Sequence, residues 1–408
     1  MQTESAARPL EPAATSGLGH RPELDGLRGI SILLILYYHF KLSQQLPGGF
    51  LGVDIFFVLS GFLITSLLVE EWAATGRISL RQFYARRALR LLPALGVLLG
   101  AMCAMAALFL SRQPAVDVYI ASLLTLFYVT NWAAALQLVH SLGPLGITWS
   151  LAIEEQFYLL WPPLLAVMLR LGWTRRRILL VLTGLLLLVV GYRALLWARG
   201  VNFGRLYYSS HTRADSLLVG CIAGLLVAWD LVGRGARSAW WLKTLALVAV
   251  LVLVVLVNVI DSPAPFLYCG GFTLAALSVA VLLLALTLAP PKLLLVPLRF
   301  APLTWVGRIS YALYLWHWPV HWYQYRLPGT RGRQALLGVA LSFVLAALSY
   351  YLVERPFLRL KRRFTPPRGA GQGSGAADRG QKIGTSSMMM TKTATVSMPP
   401  TLTKSKKR

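Results

Sequence analysis

Charged residues are scarce in this sequence, and their scarcity limits the classes of protein it can encode. They make up 13% of the 408 residues, while 56% of the residues are hydrophobic. Soluble domains carry about 25% charged and about 45–50% apolar residues, so a soluble enzyme and a disordered or fibrous protein are both excluded. The apolar runs, such as 178–190 and 245–257, are long and unbroken, unlike the alternating segments of about ten residues in a β-barrel. The composition predicts an all-α polytopic membrane protein.

Cysteine and acidic residues are also few. Cys103, Cys221 and Cys269 lie far apart within apolar runs, so they predict neither a disulfide framework nor a metal site. The 15 acidic residues stand against 40 Lys and Arg, for a net charge of +25. Most of this excess lies in short loops and near the C-terminus, a distribution typical of membrane orientation rather than of nucleic-acid binding. The first 27 residues contain no apolar stretch, so no cleavable signal peptide is expected.

Eleven apolar segments are candidates for membrane spans, because a span takes ~20 residues. They are 28–43, 50–69, 91–110, 118–136, 148–171, 178–197, 214–230, 241–260, 268–289, 303–324 and 334–353.

The basic loops decide how many of these candidates cross. If all eleven crossed, the basic loop 70–90 and the arginine cluster 175–177 would lie on opposite sides, against the positive-inside rule. Segment 118–136 is the most polar candidate, and removing it also brings the basic loop 234–243 and the tail to the cytoplasmic side. The sequence therefore predicts about ten transmembrane helices, one re-entrant or interfacial segment at 111–147 on the outer side, and both termini in the cytoplasm.

Composition divides the chain into three regions. Residues 1–20 form a polar segment, 21–363 form the membrane domain, and 364–408 form a basic tail rich in Gly, Ser, Thr and Lys. Because neither end carries apolar periodicity, both the first and the last region are predicted to be disordered.

Polar residues inside predicted spans are the most informative, since charge in a membrane is costly and usually faces a cavity. Arg28 and His39 are eleven residues apart, almost three helical turns, so they share one side of a helix and lie ~16 Å apart along it. A neutral imidazole can take a proton from a hydroxyl group, which makes His39 a candidate general base. A structural histidine near the end of a span is the alternative.

The second candidate span carries Asp54 at its outer end and Ser60-Gly61 near its middle. Small residues at that depth allow close helix packing, and they also leave room for a narrow substrate.

Three arginines, Arg86, Arg87 and Arg90, lie at the predicted cytoplasmic end of the third span. Arg86 and Arg90 are one turn apart and are expected to face the same side. Guanidinium groups suit phosphates, so the sequence predicts either a phosphate-binding site or contact with lipid headgroups.

Other polar residues enter later spans. Glu154 and Glu155 are adjacent, so at least one should face a polar cavity or a cation, such as Arg213. Asp215, at the start of another predicted span, should likewise face a polar cavity or a cation. His317, between two tryptophans, is either a packed core group or part of a polar site. No set of His, Cys and acidic residues has the spacing of a metal site, so no metal is predicted.

Six stretches resemble, in order, the acyltransferase 3 family of bacterial integral-membrane acyltransferases. They are 23–29 with His39, 48–61, Arg86-Arg87-x-x-Arg90, 149–158, Arg213-x-Asp215 and 310–319. Each is weak alone, but together they cover about residues 20–360. The resemblance implies a multi-pass protein of the bacterial inner membrane that moves an acyl group, often acetyl, from cytoplasmic acyl-CoA to a hydroxyl group of a carbohydrate, glycolipid or glycosylated metabolite. It is closest to stand-alone members that lack a fused periplasmic hydrolase-like domain.

The resemblance also implies roles for individual residues. Arg28 and His39 would act as a functional pair, and the three arginines would bind the donor. We expect direct transfer with His39 as general base and with Glu154 orienting its ring or taking part in the proton path. Acceptor-side or supporting roles are predicted for Asp25, Asp54, Ser60, Glu155, Arg213, Asp215 and His317.

Several alternatives remain open at this stage. A covalent acyl-enzyme on His39 or Ser60 would serve the same reaction, with acyl-CoA as co-substrate and no permanently bound cofactor. A membrane transporter or flippase for an acylated or glycosylated substrate fits the same polar axis, and a lipid-binding scaffold fits it less well. Release of CoA by the purified protein separates the enzyme from both rivals.

Overall fold

The computed structural model of the protein describes residues 19–43, 45–233, 239–262 and 264–360. The tail predicted at 364–408, most of the polar segment predicted at 1–20, and the predicted cytoplasmic Arg234 and Arg237 lie outside these ranges. Every regular element in the described ranges is a helix, as the composition predicted.

The described chain forms sixteen α-helices joined by short 3₁₀ and π segments. The α-helices are α1 (Pro22–Phe40), α2 (Gly52–Thr75), α3 (Leu80–Phe109), α4 (Arg112–Leu126), α5 (Thr130–Ala135), α6 (Trp149–Arg170), α7 (Arg175–Ala198), α8 (Phe203–Tyr208), α9 (Ser210–Ala228), α10 (Trp240–Val259), α11 (Phe272–Leu288), α12 (Lys292–Leu298), α13 (Ala301–Arg308), α14 (Ser310–Tyr323), α15 (Arg331–Ser349) and α16 (Arg355–Leu360). The 3₁₀ segments are Pro47–Leu51, Gly143–Thr148 and Gln324–Arg326, and the π segments are Leu267–Gly271 and Tyr350–Glu354.

Seven helical stretches within the described residues are long and apolar enough to cross a membrane, which makes this a multi-pass membrane protein. They are Pro47–Thr75, Leu80–Phe109, Arg175–Ala198, Phe203–Ala228, Trp240–Val259, Leu267–Leu288 and Arg331–Leu360. A count of ten spans needs α1, α6 and the α13–α14 pair in addition. Charged side chains lower the hydropathy of α1 and α6, and α14 has only 14 residues.

The most polar span candidate, 118–136, is not a single helix. It is divided between α4 (15 residues) and α5 (6 residues), and between them Tyr128 takes a positive φ of 55°. Neither helix reaches the ~20 residues that cross the hydrocarbon core. The break agrees with the prediction that this segment has no continuous spanning helix.

Glycines allow α2 and α9 to approach backbone to backbone. A Cβ atom on Gly61 would lie 2.2 Å from the carbonyl oxygen of Leu217, and one on Gly220 would lie 2.3 Å from the carbonyl oxygen of Val58. Close approach through small residues is a common way to pack helices in membranes, where no hydrophobic force drives helices together. Gly61 therefore fits the packing interpretation of the second span.

Two fully buried ion pairs connect the helices around this contact. Arg213 on α9 donates to both carboxylate oxygens of Asp54 on α2, at 3.0 Å each. Arg193 on α7 donates to Asp215 on α9 at 2.9 Å, and Thr273 on α11 donates to the same carboxylate at 2.6 Å. Because breaking a buried pair leaves an uncompensated charge, these contacts fix the register of α2, α7, α9 and α11.

Candidate active site

A cavity of about 160 Å³ lies among α1, α2, α3, α6 and α14. We call it the arginine cavity, because three arginines from two helices line it. Its polar lining consists of Arg28, Ser60, Arg87, Arg90, Tyr128, Ser150, Glu154, Glu155, Tyr158, Ser310, Tyr311 and Tyr314.

The arginines of this cavity are positioned by their neighbours. The guanidinium carbon of Arg87 lies 3.9 Å from the centroid of the Tyr158 ring, in a cation–π contact,. The Nε of Arg28 donates to the Ser310 hydroxyl at 3.4 Å. Three arginines against Glu154 and Glu155 give the lining a formal excess of one positive charge, which suits an anionic ligand.

The three sequence-adjacent arginines do not act as one cluster. Arg87 and Arg90 line the arginine cavity, whereas Arg86 is outside its lining and lies 3.4 Å from the Glu71 carboxylate of α2. The expectation that Arg86 and Arg90 face the same site was wrong in this respect. Although the i,i+4 spacing places both residues on one side of α3, the side chain of Arg86 lies against the Glu71 carboxylate on α2.

Ser60 and Glu154 form a short hydrogen-bonded chain within the arginine cavity. Ser60 donates to the Glu154 carboxylate at 2.7 Å, and Tyr158 donates to the Ser60 hydroxyl at 2.8 Å. Gly61 packs against α9, as the helix-packing interpretation predicted. Ser60 lines the cavity, as the interpretation with space for a substrate predicted.

A second and larger cavity, of about 500 Å³, contains His39, and we call it the histidine cavity. Residues from the segment between α5 and α6 form much of its wall, and aromatic residues form much of the rest. The segment contributes Gln137, Val139, His140, Ser141, Leu142, Gly143, Gly146 and Ile147, and α5 contributes Ala134. The aromatic lining consists of Tyr38, Phe50, Trp149, Phe203, Tyr207, Tyr208, Trp318 and Trp322.

His39 is hydrogen-bonded to a second histidine. Its Nδ1 lies 3.1 Å from Nε2 of His317 on α14, and the two rings are within 14° of parallel. His317 is fully buried, and the indole of Trp318 packs edge-on against the His39 ring with the centroids 4.8 Å apart. From the sequence, His317 was either a packed core group or part of a polar site. In the structure, its side chain is buried and also hydrogen-bonded to His39.

Four residues connect the linings of the two cavities, and we call them the partition (Val53, Ile147, Ser150 and Tyr314). Val53 lines both cavities. The Tyr314 hydroxyl is hydrogen-bonded to the Ser150 hydroxyl and donates to the Ile147 carbonyl at 3.2 Å. Ser150 and Tyr314 line the arginine cavity, and Ile147 lines the histidine cavity.

The partition changes the expected relation between His39 and Glu154. From the sequence, Glu154 was predicted to orient the His39 imidazole or to take part in the proton path. Glu154 instead lines the arginine cavity and is bonded to Ser60, because it lies one turn of α6 beyond Ser150 at the partition. Arg28 and His39 are likewise divided, since α1 lines the arginine cavity with Arg28 and the histidine cavity with His39.

The remaining predicted residues lie apart from the two cavities, except Glu155, which lines the arginine cavity. Asp25 contacts His20 at 2.9 Å near the surface. Asp54, Arg213 and Asp215 belong to the buried ion pairs, and Arg213 pairs with Asp54 rather than with the adjacent glutamates. Their contacts support the fold around the site.

Sequence reasoning missed several residues that the structure places at or near the site. Arg193, the buried partner of Asp215, was detectable as a lone arginine inside the apolar run 178–197. Tyr314 lies one turn before His317 in the stretch 310–319, but its contacts with Ser150 and Ile147 cross between segments far apart in sequence. No local pattern reports such a contact.

Residues 21–354 match the model of a protein family described as an acyltransferase domain. No solved structure matches the chain significantly.

Three bacterial relatives are similar over most of this chain. A peptidoglycan O-acetyltransferase of Listeria monocytogenes is 34% identical over 350 residues, which cover 82% of this chain and 55% of the relative. A putative peptidoglycan O-acetyltransferase of Bacillus subtilis is 35% identical over 82% of this chain and 54% of the relative. A putative O-acetyltransferase of Staphylococcus aureus is 34% identical over 83% of this chain and 57% of the relative. The chain thus spans about half the length of the curated relatives it matches.

Proposed function

The chain belongs to the family defined by this acyltransferase domain, and we propose that it is an O-acyltransferase of the bacterial cytoplasmic membrane. It transfers acetyl or another short acyl group from acyl-CoA to a hydroxyl group of a carbohydrate. One observation carries the proposal: a single helix, α1, presents Arg28 to the arginine cavity and His39 to a separate cavity rich in aromatic residues.

The arginine cavity is the proposed donor site. Arg28, Arg87 and Arg90 offer guanidinium groups of the kind that bind phosphates. We therefore assign the cavity to the pantetheine arm and thioester, with the CoA phosphates at its arginine-lined end.

The histidine cavity is the proposed acceptor site. Its volume of about 500 Å³ and its Trp149, Trp318 and Trp322 lining fit the pattern of ligand sites that combine aromatic walls with a few polar groups. The names of the Listeria and Bacillus relatives specify peptidoglycan, a carbohydrate polymer, and this supports a carbohydrate acceptor here.

In direct transfer, His39 takes the proton of the acceptor hydroxyl as the acceptor oxygen bonds to the acyl carbon. The carbon–sulfur bond then breaks, and the CoA sulfur receives the proton from His39. General base catalysis of this kind contributes about 10²–10⁴-fold. Because the partition lies between the cavities, the Tyr314 hydrogen bonds must open for the thioester to meet the acceptor.

Ser60 offers a second route for the same reaction. Its hydroxyl already donates to Glu154, so Glu154 could take the Ser60 proton while the oxygen attacks the thioester and the CoA thiolate leaves. Intact-mass spectrometry after incubation with acetyl-CoA alone separates the routes. An acetyl adduct that disappears in Ser60→Ala supports the acyl-enzyme, and an unmodified protein supports direct transfer.

We also propose ten spans with both termini in the cytoplasm. The seven long apolar helices, together with α1, α6 and the α13–α14 pair, make this number. In this orientation, the arginine cavity opens toward the cytoplasm, where acyl-CoA is made, and the histidine cavity opens outward.

The central experiment measures CoA thiol release by the purified protein with acetyl-CoA, in the presence and absence of peptidoglycan fragments. We expect release that depends on the acceptor and radiolabelled acetyl ester on the fragments. Binding of either ligand without release of CoA would contradict the enzyme and favour a transporter or flippase.

A further inference from the structure

The contacts of His317 determine which of its ring nitrogens carries a hydrogen. Its Nδ1 lies 2.8 Å from the carbonyl oxygen of Tyr314 and 3.1 Å from that of Leu313. A carbonyl oxygen only accepts hydrogen bonds, so Nδ1 of His317 must be the donor. In a neutral imidazole, the other nitrogen, Nε2, then has no hydrogen and acts as an acceptor.

The tautomer of His317 sets the tautomer of His39. Because Nε2 of His317 accepts, Nδ1 of His39, at 3.1 Å, must carry the hydrogen of that bond. Nε2 of His39 is then the unprotonated nitrogen of the ring. His39 lines the histidine cavity and His317 does not, so the basic nitrogen belongs to the residue that meets the cavity.

A protonated His317 would reverse this order, since its Nε2 would then donate to His39. That cation would be fully buried. Within the described residues, the polar contacts recorded for His317 are two carbonyl oxygens and the His39 ring, and none is a carboxylate. Burying an unpaired charge is costly, so the neutral form is the stable one.

We propose that His317 is a positioning residue that holds His39 in the Nδ1-protonated tautomer and leaves its Nε2 free to accept the proton of the acceptor hydroxyl. This inference rests on the proposed function of His39 as general base. In Ser-His-Asp sites, a carboxylate orients the catalytic histidine. Here the neutral imidazole of His317, which donates to helix carbonyl oxygens, would orient His39 in the same way. When His39 gains the proton, its Nδ1–H continues to donate to His317, and the proton then passes from Nε2 to the CoA sulfur.

The test reads the tautomer directly and does not depend on activity. Protein labelled with ¹⁵N-histidine is reconstituted in lipid, and the His39 ring signals are assigned as those lost in His39→Ala. The wild type should show His39 protonated at Nδ1. His317→Leu, which removes the acceptor, should shift His39 toward the Nε2-protonated form, and His317→Gln, whose amide oxygen can accept, should restore the wild-type form.

His321→Leu is the matched control. His321 lies one turn further along α14, with its ring centroid 6.2 Å from that of His39, but its Nδ1 is bonded to Gln324 at 2.8 Å. Its removal should leave the His39 tautomer unchanged.

Kinetics supply the second readout. His317→Leu should lower kcat at least tenfold with little change in the KM for acyl-CoA, and His317→Gln should recover part of kcat. A wild-type His39 protonated at Nε2, or a tautomer unaffected by His317→Leu, would overturn the inference. A protein that shows the expected tautomers but releases no CoA would instead overturn the proposed function.

Discussion

His39 lines the histidine cavity, and one of its two ring nitrogens, Nδ1, is hydrogen-bonded to His317. His39→Ala removes the proposed base, and we expect acyl transfer from labelled acetyl-CoA to fall by about 10²–10⁴-fold while expression and membrane insertion persist. His211→Ala is the control, because His211 is also half-buried but packs against Trp132 and Tyr192 outside both cavities. Substantial transfer by His39→Ala would rule out the general base.

Arg87 and Arg90 differ from Arg86 in what they contact, although all three lie within four residues. Replacing Arg87 and Arg90 with Ala should raise the KM for acyl-CoA by about tenfold or more, since hydrogen bonds to charged groups contribute about 1.5–3 kcal/mol each. The apparent affinity for the acceptor should change less. Steady-state kinetics with each substrate varied in turn measure both effects.

Arg86→Ala provides the comparison for this pair. Because Arg86 lies against Glu71 outside the arginine cavity, its replacement should affect the KM for acyl-CoA less than the double change does. If the double variant altered only the acceptor affinity, the assignment of the two cavities would be reversed.

The segment 111–147 is the element on which the topology depends. With Ser141 changed to Cys in a background without the three native cysteines, a membrane-impermeant thiol reagent should label intact cells from outside. Arg176→Cys, at the proposed cytoplasmic end of α7, should react only after the inner face is exposed. Labelling of Ser141→Cys only after the inner face is exposed, with Arg176→Cys labelled from outside, would mean that the segment crosses, and the order of all later spans would invert.

The contact between α2 and α9 is the element most sensitive to added volume. Gly220→Ala places a Cβ atom 2.3 Å from the Val58 carbonyl oxygen, and overpacking of this kind costs about 1–3 kcal/mol. We expect a lower midpoint of thermal unfolding in detergent. Gly184→Ala on α7 is the control, because nothing lies within 4 Å of its added Cβ; an equal loss in both variants would contradict the packing argument.

Most helices could be predicted from apolar runs, but their interruptions could not. The candidate 303–324 appears as α13 and α14, which part at Ile309, and the run 268–289 begins with a π segment that contains Gly270 at a φ of 137°. A run of apolar residues reports burial in lipid or protein. It does not report where tertiary contacts bend the chain.

At the scale of the whole molecule, the sequence predicted which polar residues lie inside the membrane domain better than it predicted which of them contact one another. Arg28 and His39 lie on one helix, as their spacing predicted, but they line separate cavities rather than one. The pairs His39–His317, Ser60–Glu154 and Arg213–Asp54 join residues 278, 94 and 159 positions apart. Such pairings depend on how the helices assemble, and residue types alone left each of these groups with more than one possible partner.

If the two cavities open to opposite faces of the membrane, as proposed, the residues between them must also keep protons from crossing. The partition joins the linings of the two cavities, so Tyr314→Ala should let protons leak down an imposed gradient, even with no substrate present. Proteoliposomes containing a pH-sensitive dye would report this leak. Tyr311→Ala is the control, because it enlarges the arginine cavity but removes a bond to the Leu91 carbonyl rather than the partition. A cell expressing the Tyr314 variant would then lose part of its proton-motive force without transferring any acyl group. This loss would select for Tyr314 independently of catalysis.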